Sequence, residues 1–187
     1  MILYLHGFTS GPQSHKAQAL GKRMEERSLA RQFVCQQLPA SPREAIVLAE
    51  SLIAHHGVTT VVGSSLGGYY ATYLAETFDL KAVLVNPAVV AQLSLKDFVG
   101  PQRWLYSGES FEFTRGHVDE LRDIEIERLS KPENFWLLVE EGDETLDYRQ
   151  AVLRYRGARQ TVLAGGDHSF TRWDDYLDAI IDFAALT

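Results

Sequence analysis

Three short stretches carry the residue types of nucleophilic catalysis. Gly63-Ser64-Ser65-Leu66-Gly67-Gly68 sets a hydroxyl between glycines in the spacing Gly-x-Ser-x-Gly, Gly142-Asp143-Glu144 supplies carboxylates, and Gly165-Gly166-Asp167-His168-Ser169 supplies an imidazole. A serine hydroxyl is a weak nucleophile. It needs a base within hydrogen-bond reach, and the base needs an acceptor that holds its tautomer. Ser65 is the expected nucleophile because Gly63 and Gly67 flank it symmetrically, with Ser64 as the alternative. His168 is the expected base. Asp143 is the expected acid, with Glu141, Glu144 and chiefly Asp147 as rivals, although Asp147 also suits the N-cap of a helix.

The same chemistry needs donors for the charge that grows on a carbonyl oxygen. The Leu66 amide, at the start of a helix, is one. The Phe8 amide in His6-Gly7-Phe8 is the second, with His6 orienting that turn rather than acting as a base. Trp104, Phe111 and Phe113 either line an acyl pocket or form the packing core of their own segment. Arg103, Arg115 and Arg122 either attract an anionic leaving group or belong to a solvated surface.

These residues must be held by regular elements. Ile2–Leu5 is a short apolar run that reads as a buried strand. From Ser14, a plausible N-cap, to about Leu29, the spacing of Ala17, Leu20 and Met24 predicts an amphipathic helix. Strands are expected at 33–38, 60–62, 82–85, 135–139 and 160–163, and helices at 44–56, 69–77, 147–155 and 172–183. Each chemical stretch then follows a strand, and the serine turn also precedes a helix, the context that gives its motif meaning. Strands alternating with helices imply a parallel sheet covered on both faces. The expected fold is therefore α/β, a three-layer α/β/α sandwich with about six mostly parallel strands in one domain over 1–187. The stretch at about 88–128 is expected to be a small helical cap of short helices and loops, with a clearer helix at 117–129.

Composition narrows the function classes. Of 187 residues, 45% are hydrophobic and 23% charged, which suits a globular chain. A net charge of -7, with basic residues dispersed, argues against nucleic acid as a partner. Cys35 is the single cysteine, so no internal disulfide forms, and it is expected to pack as a small apolar group. There is no basic leader and no long apolar run. The expected location is the cytoplasm, without membrane insertion. No His spacing suggests a metal, and no P-loop or dinucleotide fingerprint is present, so no cofactor is expected. Oligomeric state is not readable.

With those residues in view, the chain resembles the α/β-hydrolase superfamily, and within it the small bacterial YqiA-type esterases. The likeness runs through Tyr4–Phe8, Ser14 with Lys16, Gly63–Thr72, Val85–Val89, Gly142–Val152 and Gly165–Phe170. It implies a truncated hydrolase fold that starts at the strand bearing the oxyanion turn. It implies an esterase or thioesterase acting on small-molecule acyl esters, acyl-CoA among them, with Asp143 and His168 in the acid and base turns. The competing expectation is a non-catalytic binding module on a hydrolase scaffold.

Overall fold

The central strands of the sheet are buried on both faces, and the two faces bury different sets of residues. In the computed structural model, which describes residues 1–186, β1 (Ile2–Leu5) sends Ile2 and Tyr4 to one side and Leu3 and Leu5 to the other. Helix α1 (His15–Glu26) starts at Ser14, whose hydroxyl accepts from the Ala17 amide. After it come β2 (Phe33–Val34), α2 (Pro42–His56), β3 (Thr60–Ser64), α3 (Leu66–Phe78) and β4 (Lys81–Val85). A segment containing α4 (Ala91–Ser94), β5 (Gly100–Arg103), β6 (Ser110–Phe113) and α5 (Arg115–Asp123) intervenes. The chain closes with β7 (Phe135–Glu140), α6 (Tyr148–Arg154), β8 (Arg159–Leu163) and α7 (Leu177–Ala184).

Six of these strands form one sheet in the order β2-β1-β3-β4-β7-β8, and every pairing in it is parallel. Parallel pairing requires crossovers, and the helices that make them cover both faces. Ala17, Leu20 and Met24 of α1 join Ile180 and Ile181 of α7 against Tyr4, Val83 and Trp136. On the opposite face Ala45 and Ala49 of α2, Ala71 and Leu74 of α3 and Ala151 of α6 cover Leu5, Val61, Leu84 and Leu137. The result is a three-layer α/β/α sandwich, the truncated hydrolase architecture. β2 follows β1 on one side and β3 follows on the other. The order therefore reverses between β1 and β3, where open parallel sheets form a crevice at their carboxyl ends.

Three expectations change. The extended stretch at 33–38 keeps strand pairing only at Phe33 and Val34, opposite Ile2 and Leu3, because its edge position leaves β1 as its single neighbour. The intervening segment is not made of helices and loops alone. β5 and β6 form an antiparallel hairpin with Gly100 opposite Phe113 and Arg103 opposite Ser110. β5 reads Gly-Pro-Gln-Arg and carries neither β-branched nor aromatic residues, so its pairing comes from its partner rather than its own propensity. The helix expected at 117–129 spans Arg115–Asp123, begun by a capping box between Thr114 and His117. The tip of the hairpin is tied to the turn after β1 by the Leu105 amide, which donates to the Thr9 carbonyl at 2.8 Å. Cys35 is half-buried, and burial pushes its thiol up to about 12. Among the described residues no helix is long and apolar enough to cross a membrane.

Candidate functional site

The turn from β3 into α3 sets the site. Ser65 has φ +55° and ψ -119°, a conformation L residues rarely adopt. It is imposed by close packing on either side. A Cβ on Gly63 would collide with the Gly67 carbonyl, and one on Gly67 would collide with the Leu5 carbonyl. Only glycine lets β1, β3 and α3 approach this closely. The Ser65 amide donates to Val85 at 3.0 Å and its carbonyl accepts from Ala88 at 3.0 Å, which fastens the turn to β4 and the residues after it.

The imidazole and carboxylate arrive from the far side of the sheet. His168 Nε2 lies 3.1 Å from Ser65 Oγ. Its Nδ1 lies 2.8 Å from Asp143 Oδ2 and 3.0 Å from Oδ1. An ionised carboxylate only accepts, so Nδ1 carries the proton and Nε2 is left to accept from the serine hydroxyl. The Asp143 side chain is only 2% exposed. Burial alone would raise its pKa, but the His168 hydrogen bond and the amides of Leu146 and Thr145 outweigh that and hold it below the usual carboxylate range. The rival acids have other partners. Glu141 accepts from the Tyr148 hydroxyl, Glu144 from the His168 backbone amide at 3.0 Å, and Asp147 caps α6 through the Arg149 amide.

The turn after β1 stands beside the serine, and a Cβ on Gly7 would lie 3.3 Å from the Ser65 Cβ. His6 is buried and bonded on both ring nitrogens. Nδ1–H donates to the Gly7 carbonyl at 2.9 Å, and Nε2 accepts from the Leu38 amide at 2.9 Å. Burial lowers its pKa, which suits a neutral ring with one donor and one acceptor. The Gly7–Phe8 peptide is trans, so fixing the Gly7 carbonyl towards His6 directs the Phe8 N–H the opposite way. Neither the Phe8 nor the Leu66 amide donates to a protein acceptor among the described residues, and both residues line the cavity at Ser65.

That cavity measures about 920 Å³ and opens at the sheet's carboxyl edge, with Ser65 and His168 in its wall. The segment after β4 contributes Ala88, Leu95, Phe98 and Tyr106 to the lining. Trp104, Phe111 and Phe113, weighed above for an acyl pocket, are not in it. Trp104 stacks on Phe111 at 4.3 Å, Phe8 meets Phe111 and Phe113 edge-on, and Phe113 is fully buried. They form the hairpin's own core, because a two-stranded sheet can bury its aromatic side only against itself and what lies beneath.

Two residues that the sequence reading passed over hold the histidine loop. Glu140, at the end of β7, is fully buried and accepts from the amides of Asp167 at 2.9 Å and Thr171 at 2.8 Å and from the Thr171 hydroxyl. A Cβ on Gly166 would collide with its carboxylate. Asn86, just past β4, donates to the carbonyls of Asp167 and His168 and accepts from the Glu140 amide. The available signal was a carboxylate directly after five apolar residues at a strand end, where a charge survives only with dedicated donors.

Esterases and lipases share this architecture. The esterase domain of a Rhodothermus marinus protein is 18% identical, with a TM-score of 0.69 over 98% of this chain and 85% of that one. The monoacylglycerol lipase of Paleococcus ferrophilus is 17% identical, with a TM-score of 0.70 over 98% and 93%. A variant of tomato methylketone synthase I is 9% identical, with a TM-score of 0.71 over 98% and 96%. The chain thus shares the fold of these proteins. The chain belongs to the uncharacterised protein family UPF0227, whose family model matches residues 1–185.

Glu140 yields a prediction. Burial acts to raise its pKa, but the hydrogen bonds from Thr171, Asp167 and Arg172 prevail and lower it. Its stabilising contribution is therefore complete above the ordinary carboxylate value of 4.5 and is lost as pH falls through the lower folded-state pKa. Glu140→Gln should destabilise the protein by about 2 kcal/mol at neutral pH, the scale of hydrogen bonds to a charged group. Urea unfolding of both proteins should show that gap at neutral pH and a narrower one in acid.

Proposed function

We propose that the protein is a serine esterase or thioesterase of the YqiA type, hydrolysing small-molecule acyl esters, acyl-CoA among them, through an acyl-enzyme. One observation carries the reading: an unbroken line of hydrogen bonds runs from Ser65 Oγ through His168 to Asp143, in the wall of a cavity large enough for an acyl ester.

In this reading Ser65 Oγ attacks the substrate carbonyl carbon while His168 Nε2 takes the hydroxyl proton. Asp143 keeps the imidazole in the receptive tautomer and stabilises its charged form. The carbonyl oxygen gains negative charge as it becomes tetrahedral, and the Phe8 and Leu66 amides are the donors that meet it. The carbon–oxygen or carbon–sulfur bond then breaks, and His168 returns the proton to the departing group. A water molecule, deprotonated by His168, attacks the acyl-serine and releases the acid. Leu95, Phe98 and Leu146 supply an apolar wall for the acyl group. The similarity to esterases and lipases supports this choice of chemistry, but the same fold also serves a protein named as a synthase, so the residues carry the argument.

A chain-length series of acyl esters and matching acyl-CoA thioesters, assayed beside Ser65→Ala, tests the proposal. Turnover by the wild type and a loss of about 10³-fold or more in the variant are expected. Absence of turnover by a folded wild type contradicts it. His6→Ala should free the Gly7–Phe8 peptide to rotate. A fall in kcat of about 10²-fold with little change in KM is expected, the scale for a lost oxyanion donor, and His6→Asn should recover part of it by restoring a donor to the Gly7 carbonyl.

A further inference from the structure

The cavity has two unlike sides. Leu95, Phe98 and Leu146 are apolar, whereas Ser10, Ser14, Lys16 and Ser169 bring polar groups. Lys16 lies in the first turn of α1, and its Nζ donates to the Ser169 carbonyl at 2.6 Å. An ammonium has three N–H donors, and among the described residues this carbonyl is its single hydrogen-bond partner. Among the described residues no carboxylate lies within 4.0 Å of Nζ. Burial lowers the pKa of Lys16 in spite of Asp167, Glu140 and Asp143 acting in the opposite sense. A part-buried cation thus faces the reaction cavity without a counter-charge in contact, in a chain whose net charge is -7.

Resting on the serine-esterase reading, we propose that Lys16 binds an anionic group, carboxylate or phosphate, carried on the leaving-group portion of the substrate. The side follows from the chemistry. The departing oxygen or sulfur must lie at His168 Nε2 to collect its proton. Ser169 is the next residue, and Lys16 is bonded to it. On the apolar side, Phe98 lies 5.9 Å from the Phe8 ring. A leaving group therefore extends towards Lys16 while the acyl chain extends towards Phe98. Glu144, the carboxylate in the lining, is bonded to the His168 amide and disfavours an anion placed over the imidazole itself.

The competing role for Lys16 is a tether for the Ser169 carbonyl, which would affect all substrates alike. The experiment therefore reads a ratio. Esters of one acyl group are made with glycolate, 2-hydroxyethyl phosphate, neutral glycolamide and ethylene glycol, and cationic choline, and kcat/KM is measured for the wild type, Lys16→Met and Lys16→Arg. The wild type should favour at least one anionic ester over its neutral partner by about tenfold or more, chiefly through KM, as expected for a charge-assisted contact. It should handle the choline ester worst, and its preference should weaken with added salt. Lys16→Met should bring the ratio near one, and Lys16→Arg should keep most of it. A preference for only one anionic ester assigns the anion as carboxylate or phosphate. Equal ratios in wild type and Lys16→Met, or equal losses on all esters, overturn the proposal. The wild-type ratios and their salt dependence decide even if the Met variant fails to fold, since a wild type without an anionic preference also overturns it. Turnover of the neutral esters without that preference leaves the serine-esterase reading standing, whereas no turnover of any ester removes both.

Discussion

The close approach of β1, β3 and α3 at the serine turn is the constraint on which the site depends. Gly63 and Gly67 let three backbones meet where any side chain would collide, and Ser65 is left at φ +55° as the price of that contact. A strained residue persists only where its surroundings over-determine it. Here the hydrogen bonds to Val85 and Ala88 do so, and they tie the serine to β4 as well. Leu66 at the head of α3 and Phe8 beyond β1 then line the same cavity.

The histidine comes from a loop, and a loop must be immobilised to keep a 3.1 Å contact with a hydroxyl on another strand. A buried carboxylate does this. Glu140 collects the loop's inward amides, and Asn86 collects its carbonyls from the other side. The two are joined to each other through the Glu140 amide. His6 plays the equivalent part for the turn after β1, bridging the Gly7 carbonyl and the Leu38 amide. Each loop of the candidate site thus has a buried polar partner whose own hydrogen bonds are satisfied, which is the condition under which such networks add rigidity rather than cost.

The central sheet was legible because most of its strands are largely apolar runs, followed by glycine, polar or proline punctuation. The helices were legible where Ala17, Leu20 and Met24, or Ile46, Ala49 and Leu52, recur at helical spacing. The grouping of Ser65, His168 and Asp143 was legible because their order and their positions after strands are both local facts of the chain. Glu140 and Asn86 were not, since their roles exist only when residues 86, 140 and 167–171 meet in space. The hairpin of β5 and β6 was hidden because Gly-Pro-Gln-Arg has no strand character of its own. Trp104, Phe111 and Phe113 could be read either as lining or as core, since aromatic content alone does not say which way a side chain faces. Phe98 and Tyr106, which do line the cavity, carry no distinguishing signal.

The central claim is that the Ser65 hydroxyl, made nucleophilic by His168, is the reacting atom. The most direct measurement is intact mass spectrometry after exposure to an alkyl fluorophosphonate, followed by peptide mapping. Attack of Ser65 Oγ on phosphorus with loss of fluoride should add one phosphonyl group per chain, located at Ser65. A folded protein that takes up no label, or one labelled at Ser64 instead, would contradict the account.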